Sequence, residues 1–307
     1  MNYTLHQLEI FKKVSDLKSV TKASEELFLT QPAVSIQLKK FQEQFSIPLF
    51  EIIGRRLFIT EFGEEIALAA EKILEEVQSI NYKSLTYQNQ VAGKLKIAIV
   101  STAKYVMPYL LSEFMSENVG VDLTMDVTNK ATVIKSLEDN EVDFAMVSTI
   151  PKKLAIERVE LMKNKLFLIG GKQHPSFTEN ITGKQFEESS LIFREKGSAT
   201  RLAMENYISK EKLITSKKME LTSNEAVKQA VIAGLGISVM PLIGIKTSLF
   251  SSELQIIPAK GLPIETTWNL IWLKSKNLSN VAKAFIEHIH LNKRKIISEN
   301  FGWFEDY

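Results

Sequence analysis

The stretch SVTKASEELFLTQPAVSIQLKKF, Ser19 to Phe41, decides how this chain is read. Its apolar spacing predicts a helix, a turn and a second helix. Ala23 is small where the two helices cross, and Leu27 and Val34 fill the core between them. Thr30 stands as N-cap of the second helix, Pro32 sits in its first turn, and Val34, Leu38, Phe41 and Phe45 form its apolar stripe. The opposite face carries Gln31, Ser35, Gln37 and Lys39. A helix fits the major groove of DNA, where glutamine pairs with adenine and serine with either partner. A helical hairpin with a solvated polar face is the plainer alternative.

Upstream, Leu5, Leu8, Phe11 and Val14 recur at helical spacing. Downstream, LFEIIGRRLFIT reads as a small hairpin with Gly54 at the turn and Arg55 and Arg56 at or just past its tip, placed to meet phosphates or the minor groove. Residues 61 to 90 then predict a long amphipathic helix, with Ile66, Ala69, Ile73, Val77 and Ile80 as a narrow seam. Such a helix is more stable paired with a copy of itself than alone, and packing of the seam on its own domain is the alternative.

Gly93 resets the pattern. KLKIAIV, VDLTMDV and DFAMV read as strands alternating with helices at Tyr105 to Ser116 and Ala131 to Asp139, the rhythm of a parallel sheet with crossover helices. A second block starts near Lys165 with KLFLIG and continues through LIF, KKMEL, ISVM and LQII, before TTWNLIWL and a final helix from Ser279 to His290. Two α/β lobes with a ligand cleft between them are expected.

Ser101 and Thr102 follow the first strand and precede a helix, where hydroxyls and N-terminal amides stabilise an anion. Thr222 to Glu225 has capping-box spacing with Thr222 as N-cap, which leaves Asn224 for a ligand. Gly197, Ser198, Thr200 and Arg201 form another loop entering a helix, with Arg194 just upstream. Ala233-Gly234-Leu235-Gly236 falls after a helix and before a strand, the order of a helix C-cap and not of a nucleotide loop. His288 and His290 do not share a helix face and read as surface residues, so neither a metal nor a cofactor is expected.

Composition narrows the function classes. The chain has 307 residues, is 45% hydrophobic and 24% charged, and carries a formal charge of +2, which neither demands nor excludes an anionic partner. It has no cysteine, which removes disulfides, thiolate zinc sites and cysteine nucleophiles and suits a reducing compartment. The start, MNYTLHQLEIFKK, lacks a signal-peptide pattern, and the longest uncharged run, Gln229 to Ile245, is broken by Gly234, Gly236, Pro241 and Gly244. A cytoplasmic protein without a membrane association is expected.

Together, TQPAVS at Thr30 to Ser35, PLFEIIGRRLFIT at Pro48 to Thr60 and EFG at Glu61 to Gly63 resemble the N-terminal winged helix-turn-helix of LysR-type transcriptional regulators. Ser24 departs from the alanine usual after Ala23. The resemblance implies an α/β chain: a DNA-binding domain at 1–60, a linker and dimerisation helix at 61–92, and a periplasmic-binding-protein-like effector domain at 93–307. Lobe I is expected at 93–163 and 268–307, and lobe II at 164–267. The resemblance further implies double-stranded promoter DNA, a small effector, a homodimer or homotetramer and RNA polymerase as partners, and no enzymatic activity. Expected DNA-binding residues are Thr30, Gln31, Pro32, Ser35, Gln37, Lys39, Arg55 and Arg56.

STAKYVMPYLLSEF, FREKGSATR and SNEAVKQAVIAGLGIS, at Ser101 to Phe114, Phe193 to Arg201 and Ser223 to Ser238, resemble regulators of carbon-fixation (RuBisCO) operons, which implies a small phosphorylated or dinucleotide effector. That branch tends to carry Asn-Arg and Gly-Arg where this chain has Asn129-Lys130 and Ser148-Thr149. Asn129 and Thr149 therefore join Ser101, Thr102, Arg194, Ser198, Thr200, Arg201 and Asn224 as effector-binding candidates. The alternative from another class is a solute-binding-fold enzyme or binding protein with a helical appendage.

Overall fold

The computed structural model describes residues 2–54, 56–87, 90–175 and 179–307, and the chain divides into two units, Met1–Gln90 and Val91–Tyr307. In the first unit, α1 (Leu5–Leu17) opens with a capping box in which the Thr4 hydroxyl accepts from the Gln7 amide and the Gln7 side chain accepts from the Thr4 amide. In α2 (Val20–Glu26) the Ser19 hydroxyl caps by accepting from the Lys22 amide. In α3 (Gln31–Gln42), Pro32 occupies the first turn as expected, but Thr30, although at the N-cap position, makes no capping bond with its side chain. Leu8, Phe11, Val14, Ala23, Val34, Leu38 and Phe41 are buried together, with Phe41 5.1 Å from both Phe11 and Phe45 between ring centroids. The Ser24 hydroxyl donates to the Thr21 carbonyl at 2.7 Å, so this buried polar group is satisfied within its own helix.

The strands β1 (Phe50–Ile53) and β2 (Arg56–Ile59) pair antiparallel with Ile53 opposite Arg56. Gly54 supplies the left-handed turn conformation at φ +54°, and Arg55 lies outside the described residues. Next, α4 (Glu61–Tyr87) runs for 27 residues and begins where the Thr60 hydroxyl accepts from the Gly63 amide. A Cβ on Gly63 would stand 1.9 Å from the Leu49 carbonyl oxygen, so only glycine lets the helix start this close to the hairpin. The apolar residues of α4 are divided by the packing. Ile66, Ala67, Ala70 and Leu74 serve the core of their own unit, while Ile73 and Ile80 are 40% and 64% exposed. Ile66, Ile73 and Ile80 follow one another at intervals of seven on one stripe, so the start of that stripe is used within the unit and its continuation is left open.

The second unit begins with β3 (Ala92–Val100), a 3₁₀ turn at Ala103–Tyr105, α5 (Met107–Glu117), β4 (Gly120–Thr128), α6 (Lys130–Glu138) and β5 (Phe144–Val147). β3 pairs in parallel with both β4 and β5, the arrangement that crossover helices impose. The chain then passes through β6 (Ile156–Gly171), α7 (Gly183–Glu188), β7 (Ser190–Arg194), α8 (Ala199–Lys210), β8 (Lys217–Leu221), α9 (Asn224–Ile232), β9 (Ser238–Pro241), α10 (Lys246–Phe250) and β10 (Leu254–Ile256). It returns along β11 (Ile264–Leu273) and ends in α11 (Asn280–Phe301) and a 3₁₀ turn at Gly302–Asp306. β6 and β11 are antiparallel along most of their length and lie side by side in one seven-stranded sheet of order β10-β6-β11-β5-β3-β4, with β9 also paired to β6.

Four local expectations are corrected. The strand read from Lys165 is the second half of β6, a strand of 16 residues whose first half, IERVELMK, is too polar to stand out as buried strand. α11 does not stop at His290 but continues to Phe301, with Ile296 and Phe301 buried beyond the basic interruption at Lys293 to Lys295. His288 is a core residue, its ring 5.6 Å from Phe114 and its Nδ1 3.0 Å from the Asn292 side-chain nitrogen. The N-cap of α9 is Ser223, not Thr222: its hydroxyl accepts from the Ala226 amide, and Glu225 pairs instead with Lys228 at 2.9 Å.

Candidate functional site

Two surfaces carry the candidate residues, one in each unit. On α3, Gln31, Ser35 and Lys39 follow one another at intervals of four and share a face. The Gln31 side-chain amide donates to the Ser35 hydroxyl at 3.2 Å. Thr30, Gln31, Pro32 and Lys39 are exposed, and Ser35 is half-buried. Gln37 lies off this face, where its carboxamide oxygen accepts from the Gln7 side chain at 3.2 Å. Arg56 is exposed at the hairpin. Phe28, which the sequence reading passed over, stands 95% exposed in the turn between α2 and α3 at φ +54°. An aromatic residue in the turn was the available signal.

In the second unit a cavity of about 30 Å³ lies where the two lobes meet, lined by Ser101, Thr102, Asn129, Thr149, Ser198 and Thr200 among the expected residues. These arrive from the ends of β3, β4 and β5 and from the start of α8, because a parallel strand delivers its C-terminal end to the crossover helix that follows. Ser101 is fixed by three contacts. Its amide donates to the Thr128 carbonyl at 2.8 Å, and its hydroxyl oxygen accepts from Arg194 Nη1 at 3.2 Å and from the Asn224 side-chain nitrogen at 2.9 Å. Both lone pairs of that oxygen are engaged, which leaves its O–H to donate elsewhere.

Arg194 and Asn224 therefore stand behind Ser101 and do not line the cavity. Arg194, buried, is also clamped in a two-point pair by Glu195 at 2.8 and 2.9 Å. Arg201 lies further away. It bonds Glu205, Glu220 and the Arg194 carbonyl, and it lines an open groove of about 700 Å³ beside β8. Hydrogen bonds to these two carboxylates hold the Arg201 pKa above its ordinary value. Asn129 and Ser198 also have structural duties, since their side chains cap α6 and α8 by accepting from the Thr132 and Arg201 amides. Thr102, by contrast, is buried and makes no side-chain capping bond.

The cavity further contains Lys130, Ser148, Asn164 and Thr266, which sequence reasoning did not select as site residues. Lys130 occupies the first turn of α6, and burial lowers its pKa from the usual lysine value of 10.5. It is the single cation among the lining residues, which include no carboxylate. Asn164, 3% exposed, donates to the Thr266 hydroxyl at 3.0 Å across the β6–β11 pairing, and its carboxamide oxygen has no hydrogen-bond partner. These two residues are 102 positions apart, so nothing local in the sequence joins them. The lining therefore offers a cation, hydroxyl donors and the positive end of α6, the chemistry of an anion site. Among the described residues there is no group of three or more histidines or carboxylates placed to hold a metal, and no helix is long and apolar enough to cross a membrane.

Comparison with known proteins identifies both parts. Residues 5–64 match the family described as bacterial regulatory helix-turn-helix protein, lysR family, and residues 88–292 match the LysR substrate binding domain. The chain belongs to the LysR family. The HTH-type transcriptional activator CmpR of Synechocystis sp. is 36% identical over 289 residues, covering 94% of this chain and 95% of the relative. A RuBisCO operon transcriptional regulator of Allochromatium vinosum is 34% identical over 290 residues, covering 94% and 96%. Among solved structures, the regulatory domain of Synechocystis CcmR in complex with 2-PG matches with a TM-score of 0.62 at 32% identity, covering 66% of this chain and 98% of that one. This LysR-family chain is thus a transcriptional regulator with an N-terminal helix-turn-helix, a long helix and a two-lobed α/β effector domain, similar to carbon-fixation regulators. Its relatives are transcriptional regulators, not enzymes.

Proposed function

We propose that the protein controls promoters of carbon-fixation genes in response to a small anionic metabolite held between its lobes. Residues 1–60 read DNA, 61–92 link and pair two copies into a homodimer or homotetramer, and 93–307 bind the effector. Within the last, 93–163 with 268–307 forms lobe I and 164–267 forms lobe II. The observation that carries the effector reading is the cavity lining, with Lys130 and hydroxyl donors and no carboxylate. The 2-PG complex of the related regulatory domain supports it. Ser101, Thr102, Lys130, Thr149, Ser198 and Thr200 contact the anion in this reading, while Arg194 and Asn224 orient Ser101. An effector alters transcription only by binding one arrangement of the assembly better than the other, whatever its affinity.

Calorimetric titration of 2-PG into the full-length protein tests the cleft. Thr102→Val keeps the shape and removes one donor, and it is expected to weaken 2-PG binding by about 1 to 3 kcal/mol while effector-free DNA binding persists. An unaltered affinity would remove Thr102 from the site. Because its side chain caps nothing, the melting temperature should change little.

For DNA, Gln31→Ala is expected to weaken binding to the target promoter by about 1 to 3 kcal/mol with the fold intact. Gel shifts read this directly, and unchanged affinity would show that Gln31 does not face a base. Gln37→Ala should cost less, since Gln37 is turned toward Gln7.

A further inference from the structure

The LysR substrate-binding match ends at residue 292, but the chain continues through the last turns of α11 and the 3₁₀ turn at Gly302–Asp306. This segment grips both lobes. Toward lobe I, Lys293 donates to the Glu160 carbonyl at 2.8 Å and the Phe301 ring packs edge-on against Tyr109 of α5 at 5.2 Å. Toward lobe II, the Lys246 ammonium of α10 lies 4.4 Å over the Trp303 ring. Lys165, only 6% exposed, donates to the main-chain oxygens of Phe304 at 3.1 Å and Tyr307 at 2.7 Å and lies 5.4 Å from the Phe304 ring centroid. Glu305 adds a carboxylate 3.9 Å from the same ammonium.

The position of Lys165 ties this grip to the cleft. Its neighbours on β6, Asn164 and Leu166, both line the cavity, and alternation along a strand sends Lys165 to the opposite face of the sheet. Opposite it on β11 stands Glu265, just before the register shift between Thr267 and Asn269. The two strands that connect the lobes thus carry the cleft on one face and the C-terminal segment on the other.

We infer that residues 293–307 form a strap across the hinge that sets how readily the two lobes move apart. Rotation about β6 and β11 displaces α5 relative to α10. With Phe301 anchored on the first and Trp303 on the second, that rotation must pull one ring from its seat or strip Lys165 of its carbonyl partners. A buried ammonium without partners is strongly disfavoured, so the strap biases the molecule toward the arrangement in which Lys165 is held.

One amide reports on the cleft. Ala131 lies in the first turn of α6, where a helix offers its N–H no internal partner, and it donates to the Gly197 carbonyl at the start of the α8 loop at 3.3 Å. Hydrogen exchange of the full-length protein should therefore be compared with that of Trp303→Ala combined with Phe304→Ala. Exchange at Ala131 is expected to accelerate about tenfold while the β3 amides remain protected. Faster exchange confined to residues 293–307, with Ala131 unchanged, would overturn the strap and leave a terminal cap. If the double variant folds poorly, Lys246→Ala removes only the cation over Trp303 and gives the same comparison. Faster Ala131 exchange in that variant supports the strap, and unchanged exchange overturns it.

Discussion

Changing Ile73 and Ile80 together to glutamate is expected to give a monomer with promoter affinity lowered by about 10²- to 10⁴-fold, the loss that follows when two linked binding modules become independent. The two side chains lie two turns apart on α4 and are 40% and 64% exposed, whereas Ala67 and Ala70 on the same helix are already buried in their own unit. In the proposed pairing, the exposed apolar positions of this 27-residue helix meet those of a second copy, and glutamates there would bring like charges into the seam. Sedimentation at matched concentration and gel shifts on the same samples read the result. A stable dimer in the variant would show that the open side of α4 is not the pairing surface. The melting temperature of the first unit should stay close to that of the parent, because neither residue serves its core.

Lys130→Met is expected to weaken 2-PG binding by about ten- to a hundredfold near neutral pH, since a charge-assisted bond to a buried anion contributes on the order of 1.5 to 3 kcal/mol. The parent protein adds a pH signature. Burial lowers the Lys130 pKa in the free protein, and a bound anion draws it back up. Binding therefore takes up a proton between the two values. Affinity is level below the free-protein pKa and falls as pH rises through it. Titrations in buffers of different ionisation enthalpy detect that proton, and Lys130→Met should abolish both the uptake and the alkaline fall. The sign for stability runs the other way. In the effector-free domain the unfolded chain holds this proton to higher pH than the folded one, so Lys130 makes the fold less stable below its depressed pKa, and this penalty fades as pH rises toward 10.5. Equal 2-PG affinity in parent and variant across this range would exclude Lys130 as the anion's partner.

The helix-turn-helix was legible because its determinants are local. Ser19 caps, Pro32 starts a helix, and Val34, Leu38 and Phe41 fall on one face within a few turns. The hairpin was legible through Gly54, whose left-handed backbone is written into a single residue. In the second unit, strand and helix alternation survived because β3, β5 and the second half of β6 are nearly continuous apolar runs, as strands covered on both faces must be.

What the amino-acid sequence determined by itself was therefore the succession of elements, the polar face of α3 and the serine and threonine clusters at strand ends. Tertiary structure decided which of those side chains meet. Arg201 was diverted to Glu205 and Glu220, Gln37 to Gln7, and Arg194 and Asn224 to the oxygen of Ser101, whereas Asn164 met Thr266. The apolar spacing of α4 was read from the sequence, but its division between an inner face at Ala67 and Ala70 and an open one at Ile73 and Ile80 came from packing against α1. The physical reason is one of range. Backbone propensity and periodicity act over a few residues, while the partner of a polar group is whichever donor or acceptor the folded chain brings within about 3 Å of it, often from a hundred positions away.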